Sequence, residues 1–437
     1  MRFATARLSA TAKASVAFAA AILAGSPAVS QAPAGRVFTA VAEPSLSYHV
    51  AKPEEVELAI RDLAPYFDIV WVRIPPWTKD ILNHRPEIER AQQIIDAAHA
   101  AGMRVAFCFS WAGLLPRQSS IEAQGDGEQL FGKTLDPTTG ALTTVEAWDY
   151  GSQAALDEFR TRCRRLFALV DRPAEMFVVD EEILATPGQN FWYCSISTYW
   201  TSPTFSRASL EGFRRFLAER GAANAAEARF PVTTEAVEPS GKANEGLPAV
   251  PFTESNRDLL VADNGWPDSD LWVAWYQWRN ELYARWLDTV CEEAKSRWAD
   301  APEWLGTCYV MPDSWAVKGL GQDLGLIAMQ PNVDIVCAGY NSGLHFDWFK
   351  HAAAEAGKKW GSVVQLCTYG KAEGTAPDVI RQTVRTAVEA GASVLHVYSG
   401  DNFRTGLRDR RDSGLYYMPE QVEAWKQSVE WLRTLAP

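Results

Sequence analysis

Eight short apolar segments alternate along the sequence with segments that have the apolar spacing of amphipathic helices. This alternation predicts parallel βαβ units. The strand-like segments are apolar without polar alternation, which is typical of strands covered on both faces. The predicted strands are 36–43, 68–77, 103–111, 175–184, 304–311, 333–340, 361–369 and 392–400, and the main helices are 54–67, 87–102, 152–170, 206–220, 270–298, 347–356, 376–390 and 419–435.

Eight such units predict an α/β fold that closes into a (β/α)8 TIM barrel, in preference to an open doubly wound sheet. Neither GxGxxG nor GxxxxGK[ST] follows the first strand, so the usual support for a nucleotide-binding fold is absent from the sequence. We expect a single barrel domain over residues 33–437, with a long insertion after strand four at 183–269. Because the insertion is rich in loop-forming residues yet contains several aromatic residues, we expect it to be an active-site lid or subsite wall.

Residues 1–32 have the pattern of a cleavable secretory signal peptide, with basic residues, a short apolar stretch and small residues before the cleavage point. The apolar stretch is too short to span a bilayer. We therefore expect a secreted or periplasmic protein without a membrane segment. Removing the three basic residues of the signal from the total of 42 leaves 39 against 54 acidic residues, a net charge of −15 that disfavours binding to nucleic acid or anionic lipid.

The cysteines and histidines favour neither a metal site nor a cofactor. The seven cysteines have no CxxC spacing, and the six histidines form no HxH or HExxH motif. Cys108, Cys308, Cys337 and Cys367 each lie within a predicted strand, which favours buried and unpaired thiols over disulfides.

The segment EMFVVDEEIL, residues 175–184, runs from four apolar residues into the three acids Asp180, Glu181 and Glu182. The carboxyl ends of barrel strands form the active face of TIM-barrel enzymes, so we expect these acids at the mouth. Crowding and partial burial raise the pKa of one carboxyl while a neighbour stays ionised, an arrangement that suits cleavage of a glycosidic bond. The alternative is a structural cluster that caps the loop or binds arginines such as those of RDRRDSG near the C-terminus.

This strand resembles the strand-four acid motif of retaining (β/α)8 glycosidases, and most closely that of glycoside hydrolase family 42, the β-galactosidase type, whose strand reads like vDNE. The later segments SPTFSRASLEGFRRFLAERGAANAAEARF, PNVDIVCAGYN and AVEAGASVLHVYSGDN are also similar to the family. The resemblance implies that Glu182 is the acid/base, that Glu181 replaces the family's Asn, and that Asp180 takes its Asp position. A shift of one residue would instead make Glu181 the acid.

The sequence departs from this family at strand seven, where the family has a nucleophilic Glu. Here GSVVQLCTYGKAEG has Gln365, Cys367 and Thr368 at the matching positions, and the nearest acid is Glu373. Three interpretations therefore stay open: Glu373 is the nucleophile, the barrel binds without hydrolysis, or the enzyme is inverting. In the last case the base would be Asp180, Glu181, Asp313 or Asp401.

Further polar and aromatic residues follow other predicted strands, and a mouth ringed by such residues suits a polyhydroxylated ligand. Arg73 either orients a mouth carboxylate or forms a structural ion pair. Trp111 either stacks on a sugar ring or packs at the barrel edge. Asp401 also has the alternative role of a turn former. The predicted substrate-binding residues are Arg73, Trp111, Asp313, Tyr340, Asn341, Tyr369 and Asp401.

The sequence thus predicts an exported glycoside hydrolase that cleaves an oligo- or polysaccharide by carboxylate acid/base catalysis. The alternative is a carbohydrate-binding barrel without catalysis, which the missing acid at strand seven favours. A different barrel enzyme, a lyase or a metal-dependent hydrolase, is the third hypothesis, and the scarcity of histidine weighs against its metal-dependent form.

Overall fold

The polypeptide folds into a closed barrel of eight parallel strands, as the alternation predicts. In this computed structural model the barrel strands neighbour one another in chain order, and the first strand pairs with the last, from Phe38 opposite Val394 to Ala42 opposite Tyr398. This confirms the (β/α)8 fold class. The structure describes residues 36–42, 53–74, 78, 80–116, 130–135, 141–179, 204–222, 224–229, 233–235, 238–239, 270–299, 304–310, 321–338, 346–366, 368–369, 375–398, 415–416 and 419–435.

The barrel strands coincide with the eight apolar segments of the sequence, although most are shorter than predicted. They are β1 Phe38–Ala42, β2 Ile69–Arg73, β3 Arg104–Cys108, β6 Met176–Val179, β9 Trp304–Val310, β10 Ile335–Ala338, β11 Lys359–Gln365 and β13 Val394–Tyr398. Among the described residues, three small antiparallel pairs lie outside the barrel: β4 Phe131–Leu135 with β5 Leu142–Trp148, β7 Thr233–Glu235 with β8 Glu238–Pro239, and β12 Thr368–Tyr369 with β14 Leu415–Tyr416.

The helices match the predicted ones to within a few residues, apart from one short helix between β9 and β10 that the apolar spacing does not predict. Two of the helices begin at serine N-caps: the Oγ of Ser152 accepts the N–H of Ala155, and the Oγ of Ser206 accepts the N–H of Ser209. The helices are α1 Pro53–Leu63, α2 Arg85–Ala100, α3 Gln153–Val170, α4 Arg207–Glu219, α5 Asp270–Arg297, α6 Leu324–Ala328, α7 Phe346–Glu355, α8 Pro377–Glu389 and α9 Pro419–Leu435.

Alternate residues of each barrel strand enter two different cores, because successive side chains of a strand point to opposite faces. The residues of one parity fill the inside of the barrel and form a small cluster that we call the interior core. The residues of the other parity pack under the helices in a much larger shell. The interior core contains Ala40, Ile69, Trp71, Ala106, Cys108, Met176, Val178, Ile335, Cys337, Val363 and Val394.

The interior core requires a glycine on β11. A Cβ added at Gly361 would lie 2.5 Å from Val394 Cγ1 and 2.8 Å from Cys337 Sγ, closer than real Cβ contacts allow. Cys108 and Cys337 are both buried and neither forms a disulfide, which confirms the expectation for these two residues. The side chains of Cys308 and Cys367 lie outside the described part of the chain.

The β4–β5 hairpin between β3 and α3 was not predicted, because its residues lack a clear apolar period. Helix α4 falls within the predicted insertion, and its Phe213 packs on Trp278 of α5 with ring centroids 5.6 Å apart. None of the described helices is long and apolar enough to cross a membrane. The signal peptide, the single-domain boundaries and the lid role of 183–269 stay predictions.

Candidate active site at the carboxyl ends of the barrel strands

Three partly buried side chains lie directly above the interior core at the carboxyl ends of their strands, and we call them the floor residues. Arg73 ends β2, Gln365 ends β11 and Tyr398 ends β13. Arg73 and Gln365 each follow an interior-core residue by two positions, so they lie on the inward face of their strands. Tyr398 follows the interior-core residue Val394 by four positions, and its side chain packs against that core. The floor residues therefore mark the level at which the apolar filling of the barrel gives way to polar groups.

The floor is continuous across neighbouring strands. Gln365 is the register partner of Tyr398, and Tyr398 is also the register partner of Ala42 at the end of β1. Arg73 is paired with Cys108 on the next strand, and the N–H of Ile74 donates to the Cys108 carbonyl at 3.0 Å. These backbone contacts hold the strand ends in place beneath the mouth.

The interior below the floor carries no charge at neutral pH among the described residues. His396 lies there, and its Nε2 is 3.3 Å from the Sγ of Cys337. Complete burial lowers the pKa of His396 to about 3, because the imidazolium would lose its hydration. The ring is therefore neutral, and it packs edge-on against Trp71 at a centroid distance of 5.4 Å. Sequence reasoning missed this histidine, although its position within an apolar strand indicates an inward side chain.

Arg73 is thus the one charged group among the three floor residues. Its exposure is intermediate, and its backbone position confirms that it lies at the end of strand two as predicted. A guanidinium at this level lies where it can bind a carboxylate or a sugar hydroxyl at the mouth.

Trp111 follows strand three, but its ring is fully buried. Its neighbours are Phe159, Tyr283 and Trp286, at centroid distances of 5.3, 6.1 and 6.5 Å. A sugar-stacking platform needs an exposed ring face, and this ring has none. The contacts of Trp111 favour the alternative that the sequence left open, packing at the edge of the barrel.

The other predicted site residues have side chains that lie outside the described part of the chain. Only the backbone of Tyr369 is described, and it pairs with Leu415 in the small antiparallel sheet formed by β12 and β14. The side chain of Tyr369 lies outside the described residues. So do Asp180, Glu181, Glu182, Asp313, Tyr340, Asn341, Glu373 and Asp401.

The loops after strands two and three are joined by a buried ion pair that sequence reasoning missed. Arg162 of α3 donates to Asp80 at 2.5 Å and to the carbonyl of Leu114 at 2.5 Å. Asp80 has the left-handed backbone conformation, with φ at 53°, and it also accepts from the side chain of Asn83 at 2.6 Å. Because both partners of the pair are buried, the two loops are held in a fixed relation beside the mouth.

A second buried carboxylate joins the hairpin to the insertion. Asp149 follows β5 and is 1% exposed. It accepts hydrogen bonds from the hydroxyls of Ser206 and Ser209 at 2.5 and 2.8 Å and from the N–H of Gly151 at 3.3 Å. Burial raises the pKa of Asp149 to about 6, although these hydrogen bonds and the charge of Lys133 act in the opposite direction.

The contact between the hairpin and the insertion also explains why residue 151 is a glycine and why the insertion is hydrogen-bonded to β4. A Cβ at Gly151 would lie 2.5 Å from the Cα of Ser209, so the start of α4 approaches the hairpin too closely for any other residue. The N–H of Phe205 donates to the carbonyl of Lys133 at 3.0 Å, which adds this part of the insertion to the edge of β4. Residues 204–219 of the insertion are therefore packed against the β4–β5 hairpin and helix α5.

Comparisons with known proteins support the fold. No family model matches the chain, and no curated protein matches its sequence. Among solved structures, a β-galactosidase from the psychrophilic Marinomonas ef1 is similar with a TM-score of 0.58 at 13% identity, over 91% of this chain and 60% of that one. The catalytic domain of a β-amylase from Paenibacillus polymyxa is similar with a TM-score of 0.57 at 12% identity, over 92% of this chain and 100% of that one.

A family 42 β-galactosidase from G. stearothermophilus is also similar, with a TM-score of 0.52 at 10% identity over 91% of this chain. The chain spans 56% of the length of that enzyme and 60% of the Marinomonas enzyme. These structural neighbours are glycoside hydrolases with TIM-barrel folds. At such identities the likeness supports the shared architecture, and membership of family 42 stays a proposal.

Proposed function

We propose that the protein is an exported glycoside hydrolase that uses Glu182 as its proton donor. The observation that carries the proposal is the alternation of strand four. Met176 and Val178 enter the interior core, whereas Phe177 and Val179 enter the shell. The acidic triplet follows immediately in the sequence. A continuation of the same alternation would give positions 180 and 182 the inward parity of Val178 and position 181 the outward parity. This supports Glu182 over Glu181 as the acid, with Asp180 as its neighbour.

The surroundings of the strand ends support the acid/base role. The interior core below is apolar and its histidine is neutral, so a carboxyl at this level loses hydration on one side, which raises its pKa. The charge of Arg73 acts in the opposite direction on any carboxylate close to it. A mouth with both influences can keep one carboxyl protonated and another ionised, as glycosidic cleavage requires.

The second carboxylate is proposed to be Glu373, with Asp180, Glu181, Asp313 and Asp401 as the alternatives in an inverting enzyme. The backbone N–H of Thr375 donates to the carbonyl of Leu366 at 3.2 Å, so the chain that leaves strand seven returns to the end of the same strand. Glu373 precedes Thr375 by two residues in the sequence, so covalent geometry limits the distance between their Cα atoms to about 7 Å. This anchor supports an acid near the strand-seven end even though Gln365 ends the strand itself.

The proposed substrate is an oligo- or polysaccharide. The similar structures carry names of enzymes that act on galactosides and on starch-type glucans, and we propose the same broad substrate class, though no particular sugar, for this chain. Besides Arg73, the residues proposed to bind substrate are Asp313, Tyr340, Asn341, Tyr369 and Asp401.

The test is hydrolysis by the purified mature protein across a panel of aryl-glycosides and polysaccharides, followed by the Glu182→Gln, Glu181→Gln and Asp180→Asn variants. We expect Glu182→Gln to lower kcat by about 100- to 10,000-fold, the usual contribution of a general acid. Its melting temperature should stay close to that of the parent. Full activity in Glu182→Gln would remove that residue from the role, and Glu181→Gln then tests the alternative register.

A second candidate is a carbohydrate-binding barrel without catalysis. The specific observation in its favour is that the inward position at the end of strand seven is an amide, Gln365, which cannot act as a carboxylate nucleophile. Binding of an oligosaccharide without turnover, measured by calorimetry and by product analysis of the same samples, would favour this candidate. Turnover of any glycoside excludes it.

A further inference from the structure

Gln365 differs from the other floor residues in the interactions of its side chain. Its side chain is partly buried, whereas the five residues before it in β11 are buried. Arg73 and Tyr398 both have interactions within the protein. The side-chain amide of Gln365, by contrast, makes no hydrogen bond with any other residue in the described part of the chain. An amide at the edge of an apolar core is satisfied either by water or by a ligand.

The backbone around Gln365 is held on both sides. Gln365 is in register with Tyr398, and the N–H of Leu366 donates to the Tyr398 carbonyl at 3.1 Å. The Leu366 carbonyl in turn accepts from Thr375 at 3.2 Å. Gly361 and Val363, which share the face of Gln365, are locked into the interior core. The amide is therefore carried by a rigid strand, as the polar groups of precise binding sites usually are.

We propose that Gln365 is a positioning residue of the active site, whose amide binds a hydroxyl group of the sugar at the floor of the mouth. This rests on the proposed function. A primary amide both donates and accepts hydrogen bonds, which matches a sugar hydroxyl, whereas an ionised carboxylate accepts only. Being neutral, the amide also adds no charge that would oppose an ionised catalytic acid nearby.

The proposal defines what strand seven contributes to the reaction. An amide at this position forms no covalent bond to the sugar, so the strand end binds and orients the substrate. The attacking group must come from elsewhere at the mouth. Gln365 is then expected to influence both substrate binding and the barrier to reaction, because a misplaced sugar ring reacts slowly.

The experiment compares Gln365→Ala, Gln365→Asn and Gln365→Glu in the full mature chain. On an aryl-glycoside that the parent hydrolyses, we expect Gln365→Ala to lower kcat/KM by about 5- to 150-fold, the cost of leaving a buried polar partner unsatisfied. Gln365→Asn keeps the amide but shortens its reach, so we expect a loss of similar size. Gln365→Glu should add a new titrating group to the pH profile of kcat/KM, which a merely structural residue would not do.

The matched control is Gln427→Ala, which removes an exposed glutamine that donates to Glu423 and accepts from Arg381 on the outer helices. It should leave kcat and KM unchanged. The melting temperatures of all variants show whether folding is affected. Full kcat/KM in Gln365→Ala, in a folded protein, overturns the proposal.

Failure of the proposed function has a different signature. If the parent hydrolyses no glycoside, the same sugars are titrated into parent and Gln365→Ala by calorimetry. Binding that weakens in the variant supports the proposal without catalysis. Equal binding to both proteins, or no binding to the parent, overturns it.

Discussion

Two carboxylates at opposite ends of the barrel, Glu175 and Asp149, are held in different ways. Glu175 precedes strand four at the amino end, where it accepts from the N–H of Val105 at 2.8 Å and lies 3.2 Å from Nε2 of His99. Asp149 lies beside the carboxyl end, where its donors among the described residues are two hydroxyls and a backbone N–H. One carboxylate therefore has a cationic partner within reach, and the other is bound by neutral groups alone.

The difference reverses the response of each group to pH. Burial would raise the pKa of Glu175, but the hydrogen bonds from His99 and Val105 outweigh burial and lower it. Its contribution to stability is present above the unfolded value of 4.5 and is lost as the pH falls through the folded value. Burial raises the pKa of Asp149 to about 6, so its contribution is present below 3.8 and is lost as the pH rises through 6.

The amino end repeats this cation-paired arrangement. Three acids come directly before the barrel strands β2, β6 and β10, and each has a basic partner. The pairs are Asp68 with Arg36, Glu175 with His99, and Asp334 with Lys295. Two of these acids also accept a backbone N–H from the preceding barrel strand, which extends the sheet by one contact. The comparison indicates that the amino end is built for stability, whereas the carboxyl end retains an amide that binds nothing else in the described protein.

The largest expected effect on stability is that of Asp149→Asn. Between pH 4 and 7 the parent should lose about 2 kcal/mol through Asp149, since its pKa rises from 3.8 to about 6. An uncharged Asn removes this loss, so the variant should show a flatter pH dependence of the free energy of unfolding. Urea unfolding at several pH values measures it.

The control for Asp149→Asn is Asp157→Asn on α3, an exposed acid that accepts from Gln153. It should leave the slope between pH 4 and 7 as it is in the parent. If the free energy of unfolding of Asp149→Asn depends on pH as steeply as that of the parent, hydroxyl donors and helix ends keep this carboxyl ionised at low pH in spite of its burial. The contrast between Asp149 and Glu175 would then be wrong.

A smaller loss is expected from Asp68→Ala at the amino end. Asp68 accepts from the N–H of Thr39 at 2.9 Å and from its hydroxyl at 3.0 Å. Removing the carboxylate leaves the N–H and the hydroxyl of Thr39 without this acceptor, which should lower the free energy of unfolding by about 1–3 kcal/mol. The proposed glycosidase activity should be unchanged below the melting transition, because the change lies at the opposite end from the mouth.

Asp378→Ala is the matched control for Asp68→Ala, since Asp378 is 94% exposed and pairs with Arg381 of the same helix. Its effect should be within about 0.5 kcal/mol. A loss of activity in Asp68→Ala that exceeds its loss of folded protein would show that the two ends of the barrel are coupled.

The smallest effect is expected from Glu175→Gln. Gln keeps an acceptor for Val105 and loses the charge that raises the pKa of His99 through their hydrogen bond. The pair is fully formed between pH 4.5 and 6.5, the unfolded values of its two members. We expect a loss of about 0.5–1 kcal/mol in that window and a smaller loss on either side.

Glu87→Gln provides the control for Glu175→Gln, because Glu87 forms the same kind of pair with His84 at a more exposed position. Denaturant unfolding at pH 5.5 and pH 8.5 separates the two. If Glu175→Gln costs as much at pH 8.5 as at pH 5.5, the hydrogen bond to Val105, and not the charge, accounts for its contribution.

The fold was predictable to a large extent, and the site was not. The strand segments and the spacing of helices such as Gln153–Val170 could be located from apolar periodicity, since burial on two faces leaves a local pattern. The hairpin at 131–148 has no such pattern and was missed. Trp111 illustrates the limit at the site, since an aromatic residue after a strand is equally compatible with the mouth and with the shell, and its contacts place it in the shell.

The sequence by itself determined that eight apolar strands alternate with helices, that an acidic triplet lies at the end of strand four and that no acid occupies the matching positions of strand seven, because all three are properties of short local segments. Only the tertiary structure decided which parity of each strand faces the interior, that Gln365 and Tyr398 are neighbours, and that Asp149 is buried among neutral donors. These depend on contacts between residues far apart in the chain, for which local periodicity carries no information.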